Sequence, residues 1–129
     1  MPAPPANPVT AAHADAFRLY VEHWRHTLGL EDWRIAVPLK RTRRRLVQAE
    51  CSTLDLEQRL AVIQLGVHFW GTPVTEQSLY ELAFHEVTHV WLHELTQVAK
   101  AGDADAIHSQ QHRLINVLER LLAADVTHG

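Results

Sequence analysis

Residues 76–98 read EQSLYELAFHEVTHVWLHELTQV and contain neither proline nor glycine. Their apolar side chains run nearly all the way round a helix of about 3.6 residues per turn, which is typical of a central, largely buried helix. Thr75 can cap its start, Ser78 offers a second choice, and Pro73 lies just before them. The stretch therefore predicts a long helix at the centre of the fold.

Within this helix, His85-Glu86-Val87-Thr88-His89 forms the pattern HExxH. Residues four apart lie on one helix face, so two imidazoles can close on one zinc ion at about 2.0–2.1 Å each. Glu86 lies about 100° round the helix from His85, near enough to act as general base toward a zinc-activated water. Imidazoles set in the apolar wall of a buried helix also gain a partner when they bind a metal. The motif in this context indicates a zinc-dependent hydrolase.

The third zinc ligand lies outside this helix. A catalytic zinc site uses three protein ligands and keeps one position open. His93 is excluded, because eight residues separate it from His85, or about 12 Å along a straight helix. The metzincin pattern places a third histidine six residues after the second, where this chain has Leu95.

A later helix supplies the candidates. Residues 103–125 predict a last helix that returns antiparallel after a short connection. Matching nine residues on each side of the turn brings His112 level with His89. His112 is therefore predicted as the third ligand, with Glu119 and His108 on the same flank as alternatives.

With these motifs, the chain resembles the minimal zincin-like metallopeptidases, small domains of phage and bacterial genomes related in layout to the SprT-like fold. The resemblance covers most of the chain: a helix, a strand with a tryptophan (33–37), two further strands, the HExxH helix and a closing helix. A closing pattern E-x-x-I-x-x-L-x-x-x-L reads HRLINVLERLL over residues 112–122. The family's glutamate falls on His112, which changes a two-histidine, one-carboxylate site into a three-histidine site. The resemblance implies a fold and a metal more firmly than a substrate.

The order of elements predicts an α+β fold. A helix over 10–28 is followed by strands over 33–39, 46–53 and 59–65, and then by the HExxH helix and the closing helix. We expect a three-stranded, mostly antiparallel sheet, with one edge strand bordering the zinc cleft and pairing with an extended substrate. Which strand forms that edge is left open. Cys51 falls in the second strand and is predicted as a core residue rather than a ligand.

The ends and composition bound the organisation of the chain. Residues 1–9 contain four prolines and predict a flexible tail, and residues 10–129 predict one domain. The chain shows neither a signal pattern nor an apolar run of membrane-spanning length, and it has a single cysteine. We therefore expect a cytoplasmic protein without a membrane partner, in the host cytoplasm if a phage encodes it.

A basic run, Lys40 to Arg45, lies between the first two predicted strands. We interpret it as a solvated hairpin tip, because aromatic residues do not interleave with it and the net charge of the chain is −3. Nucleic acid is a possible but less favoured partner than a peptide or protein substrate. The oligomeric state is left open.

The function expected from the sequence is that of a zinc metallopeptidase, with His85, His89 and His112 as ligands and Glu86 as general base. His68, Tyr80 and Arg113 are candidates for stabilising the oxyanion, although each is more simply explained as a structural residue. The alternative function is a catalytically weak or inactive zinc-binding module of zincin fold that acts in protein or nucleic-acid interaction.

Overall fold

The computed structural model describes residues 4–42 and 47–128. The elements in chain order are β1 Ala6–Pro8, α1 Ala11–Thr27, β2 Arg34–Ala36, β3 Ala49–Asp55, β4 Leu60–Leu65, β5 His68–Trp70, α2 Glu76–Ala101 and α3 Ala104–His128. The strands β2 to β5 follow one another without an intervening helix, so the fold is α+β, as predicted. Within the described ranges, no helix has the length and apolar character needed to cross a membrane.

Helix α1 begins and ends within one residue of its predicted bounds. Thr10 Oγ1 accepts a hydrogen bond from the backbone N–H of His13 at 3.1 Å, and His13 Nδ1 accepts one from the N–H of Thr10 at 3.0 Å. This reciprocal cap satisfies N–H groups that have no partner inside the helix. The chain leaves α1 through Gly29, whose φ of +72° costs glycine little. The buried face of α1 carries Ala14, Phe17 and Val21.

Strands β2, β3 and β4 form a mixed sheet in the order β2-β4-β3. Strands β3 and β4 are antiparallel, with Ala49 opposite Leu65. Strand β2 runs parallel to β4, with Arg34 opposite Leu60. The sheet expected to be mostly antiparallel therefore has one parallel pairing, because the chain after β2 passes to the far side of β4 before β3 begins.

The connection between β2 and β3 is not a hairpin. Strand β4 lies between the two strands, so the basic run cannot form a tight turn that joins them. The backbone N–H of Lys40 instead donates to the carbonyl of Leu65 at 2.9 Å, at the end of β4. The prediction that the basic run forms a hairpin tip is wrong for this reason. Arg43–Arg45 of the run lie outside the described residues.

A second, two-stranded sheet ties the N-terminal segment to the domain. Strands β1 and β5 are antiparallel, with Ala6 opposite Trp70. The side-chain amide of Asn7 also donates to the carbonyl of Thr72 at 2.6 Å. The tail predicted to be flexible over residues 1–9 is thus paired from Ala6 onward, and residues 1–3 lie outside the described part of the chain.

The core lies between α1, α2 and the sheet. Its largest fully buried side chains are Trp33, Phe17, Phe69, Leu28, Leu30, Ile63, Leu65, Leu79, Val21, Val87, Val90 and Val117. Helix α2 packs against α1 and β3, as expected for a central helix. In the part of α3 whose side chains are described, Val117 is the apolar residue that is fully buried. Helix α3 is therefore a peripheral element.

Candidate metal centre

The two histidines of the HExxH motif lie side by side on α2. Their Nε2 atoms are 3.3 Å apart, and their ring centroids are 4.9 Å apart. Helix α2 starts at a reciprocal cap between Thr75 and Ser78 and continues without a break to Ala101, so the spacing of four residues becomes one helical turn.

The separation of the two Nε2 atoms fits a zinc ion. Two nitrogen ligands at about 2.0–2.1 Å from a tetrahedral zinc lie roughly 3.3–3.4 Å apart. His85 and His89 are 3.3 Å apart at Nε2. The distance between these two nitrogens therefore matches two corners of a tetrahedral site.

Both histidines are exposed, which differs from the sequence expectation. The prediction placed them in an apolar wall, yet the core takes the opposite side of α2, through Ala83, Val87 and Val90. The apolar residues of α2 outnumber the positions that the core covers. Leu92 accordingly remains 43% exposed on the same side of the helix as the histidines, and Phe84 remains 40% exposed beside the ring of Trp24 on α1.

Glu86 is the buried ionisable residue of the motif, with 5% of its surface exposed. The pKa of its carboxyl is raised to about 7, mainly by burial and to a lesser extent by the nearby Glu50, while a hydrogen bond from the backbone N–H of Cys51 offsets part of the rise. A carboxyl with a pKa near 7 exchanges protons readily at neutral pH.

A groove of about 470 Å³ runs between α2 and β3. Its lining residues are Val47, Ala49, Glu50, Cys51, Leu54, Glu86 and His89. Among the described strands, β3 pairs with β4 alone, so its other edge faces this side of the molecule. Strand β3 is thus the edge strand beside the motif, a choice that the sequence left open.

Cys51 lies in this groove rather than inside the core. Its side chain is partly buried on β3. Burial, with the nearby Glu86 carboxylate, raises the pKa of the thiol to about 12, so the thiol is protonated at neutral pH. The prediction that Cys51 is a core residue is met in part, since it packs against the core from the wall of the groove.

The structure does not bring His112 to the histidine pair. Helix α3 turns Gln110, Arg113 and Val117 toward the domain, whereas His112 is exposed. His108 and Glu119, the two alternatives, are exposed as well and share the outer face with His112. Among the side chains that the structure describes, no group of three or more from His, Cys, Asp or Glu could hold one metal ion.

Two physical reasons separate His112 from its predicted place. Helix α2 extends to Ala101 rather than 98, and Glu94 contacts Gln110 and Arg113 across the two helices. His112 is therefore level with Glu94, about five residues or 7.5 Å along the axis from His89. Matching levels along the two helices also does not specify how α3 is rotated about its own axis, and this rotation turns His112 outward.

The three candidates for oxyanion stabilisation are not among the residues that line the groove. Arg113 donates to Glu94 at 3.0 Å, and also to the carbonyl of Gly29. The ring of Tyr80 packs 5.1 Å from that of Trp24, measured between centroids. His68 lies on β5, with its ring 5.8 Å from that of Trp70.

Sequence reasoning missed Glu94, whose side chain is 3% exposed. Its carboxylate accepts hydrogen bonds from Trp33 Nε1 at 2.5 Å and from Arg113 at 3.0 Å, and it also pairs with Arg59. A signal was present, because Glu94 lies four residues after the apolar Val90 and so shares its side of the helix. Glu94 thus connects α2 with Trp33, with Arg59 and with α3, and its role is structural.

Comparison with known proteins gives no match to this chain, whether with family models, with curated proteins or with solved structures.

Proposed function

We propose that this chain is a zinc-dependent metallopeptidase. The observation that carries the proposal is the juxtaposition of two Nε2 atoms 3.3 Å apart with Glu86 in a groove bordered by an edge strand. Hydrolysis of an extended peptide needs a pair of metal ligands, a carboxyl group that can take a proton, and a strand edge that can bind the substrate. The same arrangement is expected from the resemblance to zincin-like domains.

His85 and His89 would hold the metal through Nε2. Zinc bound there would supply a Lewis acid that acidifies water and polarises a carbonyl. The carboxyl of Glu86 would take a proton from the attacking water and pass it to the leaving amine. Its burial beside the groove would keep bulk water away from that proton transfer.

Strand β3 would align the substrate. A peptide can add to the free edge of a sheet through main-chain hydrogen bonds, which need no particular side chains. The groove offers the apolar Val47, Ala49 and Leu54 for substrate side chains. The substrate class is therefore an extended peptide or a protein segment. The single cysteine of the chain suits a reducing compartment such as the cytoplasm.

Glu86→Gln tests the proposal. The variant should bind zinc as well as the wild type, because both histidines remain, and should lose about 10²–10⁴-fold in hydrolysis rate, because its amide cannot take the proton. Zinc content by atomic absorption and cleavage of a diverse peptide library are the measurements.

Glu81→Gln is the matched control, since Glu81 is an exposed carboxylate on the same helix. It should leave hydrolysis unchanged. Equal activity of Glu86→Gln and wild type would contradict the proposal, as would a zinc-loaded wild type that cleaves nothing in the library.

The second candidate is a zinc-binding module of the same fold without useful turnover, acting in protein or nucleic-acid interaction. The finding that favours it is the histidine pair itself, since the described residues bring together two donors rather than three. For this module, both Glu86→Gln and wild type would bind zinc and neither would hydrolyse peptides. The library assay therefore separates the two candidates.

A further inference from the structure

We propose that the groove between α2 and β3 takes an apolar side chain of the bound peptide next to the scissile bond, and that Cys51 and Leu54 select this side chain by its size. The selection rests on the proposed function and adds to it the substrate residue that the groove recognises. Three features of β3 support it: the direction of its outer backbone groups, the face that its side chains share, and the apolar character of that face.

The outer edge of β3 carries the backbone groups of Ala49 and Cys51. On the inner side, the carbonyl of Gln48 accepts from the N–H of Gly66 at 2.8 Å, at the end of β4. Successive residues of a strand point their N–H and C=O groups to opposite neighbours, so those of Ala49 and Cys51 point away from β4. An extended peptide that adds to the edge of the sheet meets these groups.

Glu86 fixes where the scissile bond lies along this edge. Its carboxyl accepts a hydrogen bond from the backbone N–H of Cys51, so the general base is held beside that residue. A general base must lie within hydrogen-bond reach of the attacking water, and the water lies against the reacting carbonyl. The substrate residue opposite Cys51 therefore belongs to the scissile bond or adjoins it.

A β-bulge keeps the side chains of Cys51 and Leu54 on one face of β3. Cys51 is opposite Ile63 and Leu54 is opposite Ala61, and the register shifts between Cys51 and Thr53. Residues three apart in a regular strand point to opposite faces, whereas the extra residue of the bulge restores the same face. Ile63 and Ala61 are fully buried, so this face is the one turned toward the core.

The face that receives the substrate side chain is apolar. Directly opposite residues share one face of a sheet, with Cβ atoms about 4.5–5.5 Å apart, so the substrate residue opposite Cys51 directs its side chain into the groove. Ala49, Cys51 and Leu54 form the wall there. Burial and the nearby Glu86 raise the pKa of the Cys51 thiol to about 12, so this wall is uncharged at neutral pH. An apolar side chain buries its surface against such a wall, whereas a charged one loses water.

The cleavage profile of the zinc-loaded wild type is the first test. A diverse peptide library is digested, and mass spectrometry identifies the two residues that flank each cleaved bond. At one of these two positions, Val, Leu, Met and Phe should be favoured over Asp, Glu, Lys and Arg by at least about 10-fold in kcat/KM.

Two opposite substitutions test the selection by size. Cys51→Leu narrows the groove and should lower cleavage beside Phe about 10-fold relative to cleavage beside Ala. Leu54→Ala widens the groove and should shift the same ratio in the other direction, as should Cys51→Ala to a smaller extent. Thr53→Val is the matched control, because Thr53 is exposed on the same strand and belongs to its other face, and it should keep the wild-type ratio.

Peptide binding to Glu86→Gln separates the selection from turnover. The amide oxygen of this glutamine can still accept from the N–H of Cys51, while the variant should not hydrolyse the peptide. The probes are fluorescein-labelled peptides of Gly and Ser with a single Leu, Lys or Asp at the central position. Fluorescence anisotropy should give a Kd about 10-fold lower for the Leu peptide than for the other two, and Cys51→Leu should reduce this difference.

The two assays distinguish failure of the selection from failure of the proposed function. A wild type that hydrolyses peptides with no apolar preference at either flanking position, or with a preference for charged side chains there, would overturn the selection and leave the proposed function standing. Unchanged Phe-to-Ala ratios in Cys51→Leu and Leu54→Ala would do the same. If nothing is hydrolysed, the proposed function fails, and equal Kd values for the three probes would then remove the apolar selection as well.

Discussion

Glu86 lies in an environment that favours its neutral form. Its carboxyl is 5% exposed, Glu50 is nearby, and the hydrogen bond from Cys51 only partly offsets the loss of water. The unfolded chain hydrates the same carboxyl fully. The difference between the two states links the stability of the protein to pH.

We predict that the metal-free protein loses stability as pH rises from about 4.5 to about 7. These are the ordinary and the folded pKa values of Glu86. Between them the folded state keeps a proton that the unfolded state has released, so the free energy of unfolding falls with pH and levels off above the folded pKa. The total is about 3 kcal/mol, since one pKa unit corresponds to about 1.36 kcal/mol.

Urea unfolding in the presence of a chelator, repeated across this pH range, checks the prediction. Glu86→Gln should remove the slope that this residue contributes, whereas the exposed-carboxylate variant Glu81→Gln should keep it. Parallel stability curves for Glu86→Gln and wild type would contradict it.

At the scale of elements, the first turn of α2 decides whether the motif is helical at all. Thr75 Oγ1 accepts from the N–H of Ser78 at 3.0 Å, and Ser78 Oγ accepts from the N–H of Thr75 at 2.9 Å. These bonds satisfy two backbone donors of the first turn. They act locally and hold the start of the helix that carries both histidines.

We predict that Thr75→Ala lowers the free energy of unfolding by about 1 kcal/mol, the typical cost of losing a threonine N-cap. Thr96→Ala is the control, because Thr96 is exposed in the interior of the same helix and bonds only to the carbonyl of Leu92. Its effect should stay within about 0.5 kcal/mol. Thermal or urea unfolding measures both, and equal effects would show that the cap does not stabilise α2.

The elements that sequence could predict are those set by local pattern. The bounds of α1 and the start of α2 follow from caps and helical periodicity, and the pairing of His85 with His89 follows from the helical repeat. An edge strand beside the motif was expected, and the structure identifies it as β3. Which strand lies at that edge depends on the order β2-β4-β3, which periodicity within a strand does not specify.

What could not be predicted depends on contacts between distant residues. The pairing of β1 with β5 joins two strands of three residues each, too short for a periodic signal. The rotation of α3 is set by Arg113 and Gln110 at Glu94, a contact that no local pattern reveals. The outward direction of His112 follows from that rotation, which is why counting helix levels misplaced it.

At the scale of the whole molecule, Glu94 is the point where separate parts of the chain meet. It contacts Trp33 before β2, Arg59 before β4, and Gln110 and Arg113 on α3. Asp32 adds a weaker ion pair to each arginine, at 3.7 and 4.0 Å. Among the described side chains of α3, Val117 is the one apolar residue that is fully buried, so this polar network is a main attachment of that part of the helix.

We predict that Glu94→Gln lowers the free energy of unfolding by about 2–4 kcal/mol. This is less than the loss of a fully buried partner, because the arginine side chains are 39% and 33% exposed and keep some water. Hydrogen exchange in α3 should also accelerate more than in α1. Asp15→Asn, which breaks the exposed pair with Arg18, should cost less than about 1 kcal/mol.

Urea unfolding and hydrogen exchange followed by mass spectrometry measure these effects. If Glu94→Gln were as mild as Asp15→Asn, or if exchange rose equally in α1 and α3, the attachment of α3 would not depend on this network.

The pairing of β1 with β5 also determines when the N-terminal strand can pair during synthesis. The bond from Asn7 to Thr72 closes a loop of 65 residues, and the entropy cost of closure grows with loop length. During synthesis, residues 6–8 have no strand to pair with until residues 68–70 have been made. By then all three strands of the mixed sheet have been made, whereas α2 has not yet been synthesised. All the strands are therefore synthesised before the helix that carries the histidine pair, and this helix completes the core that they share with it.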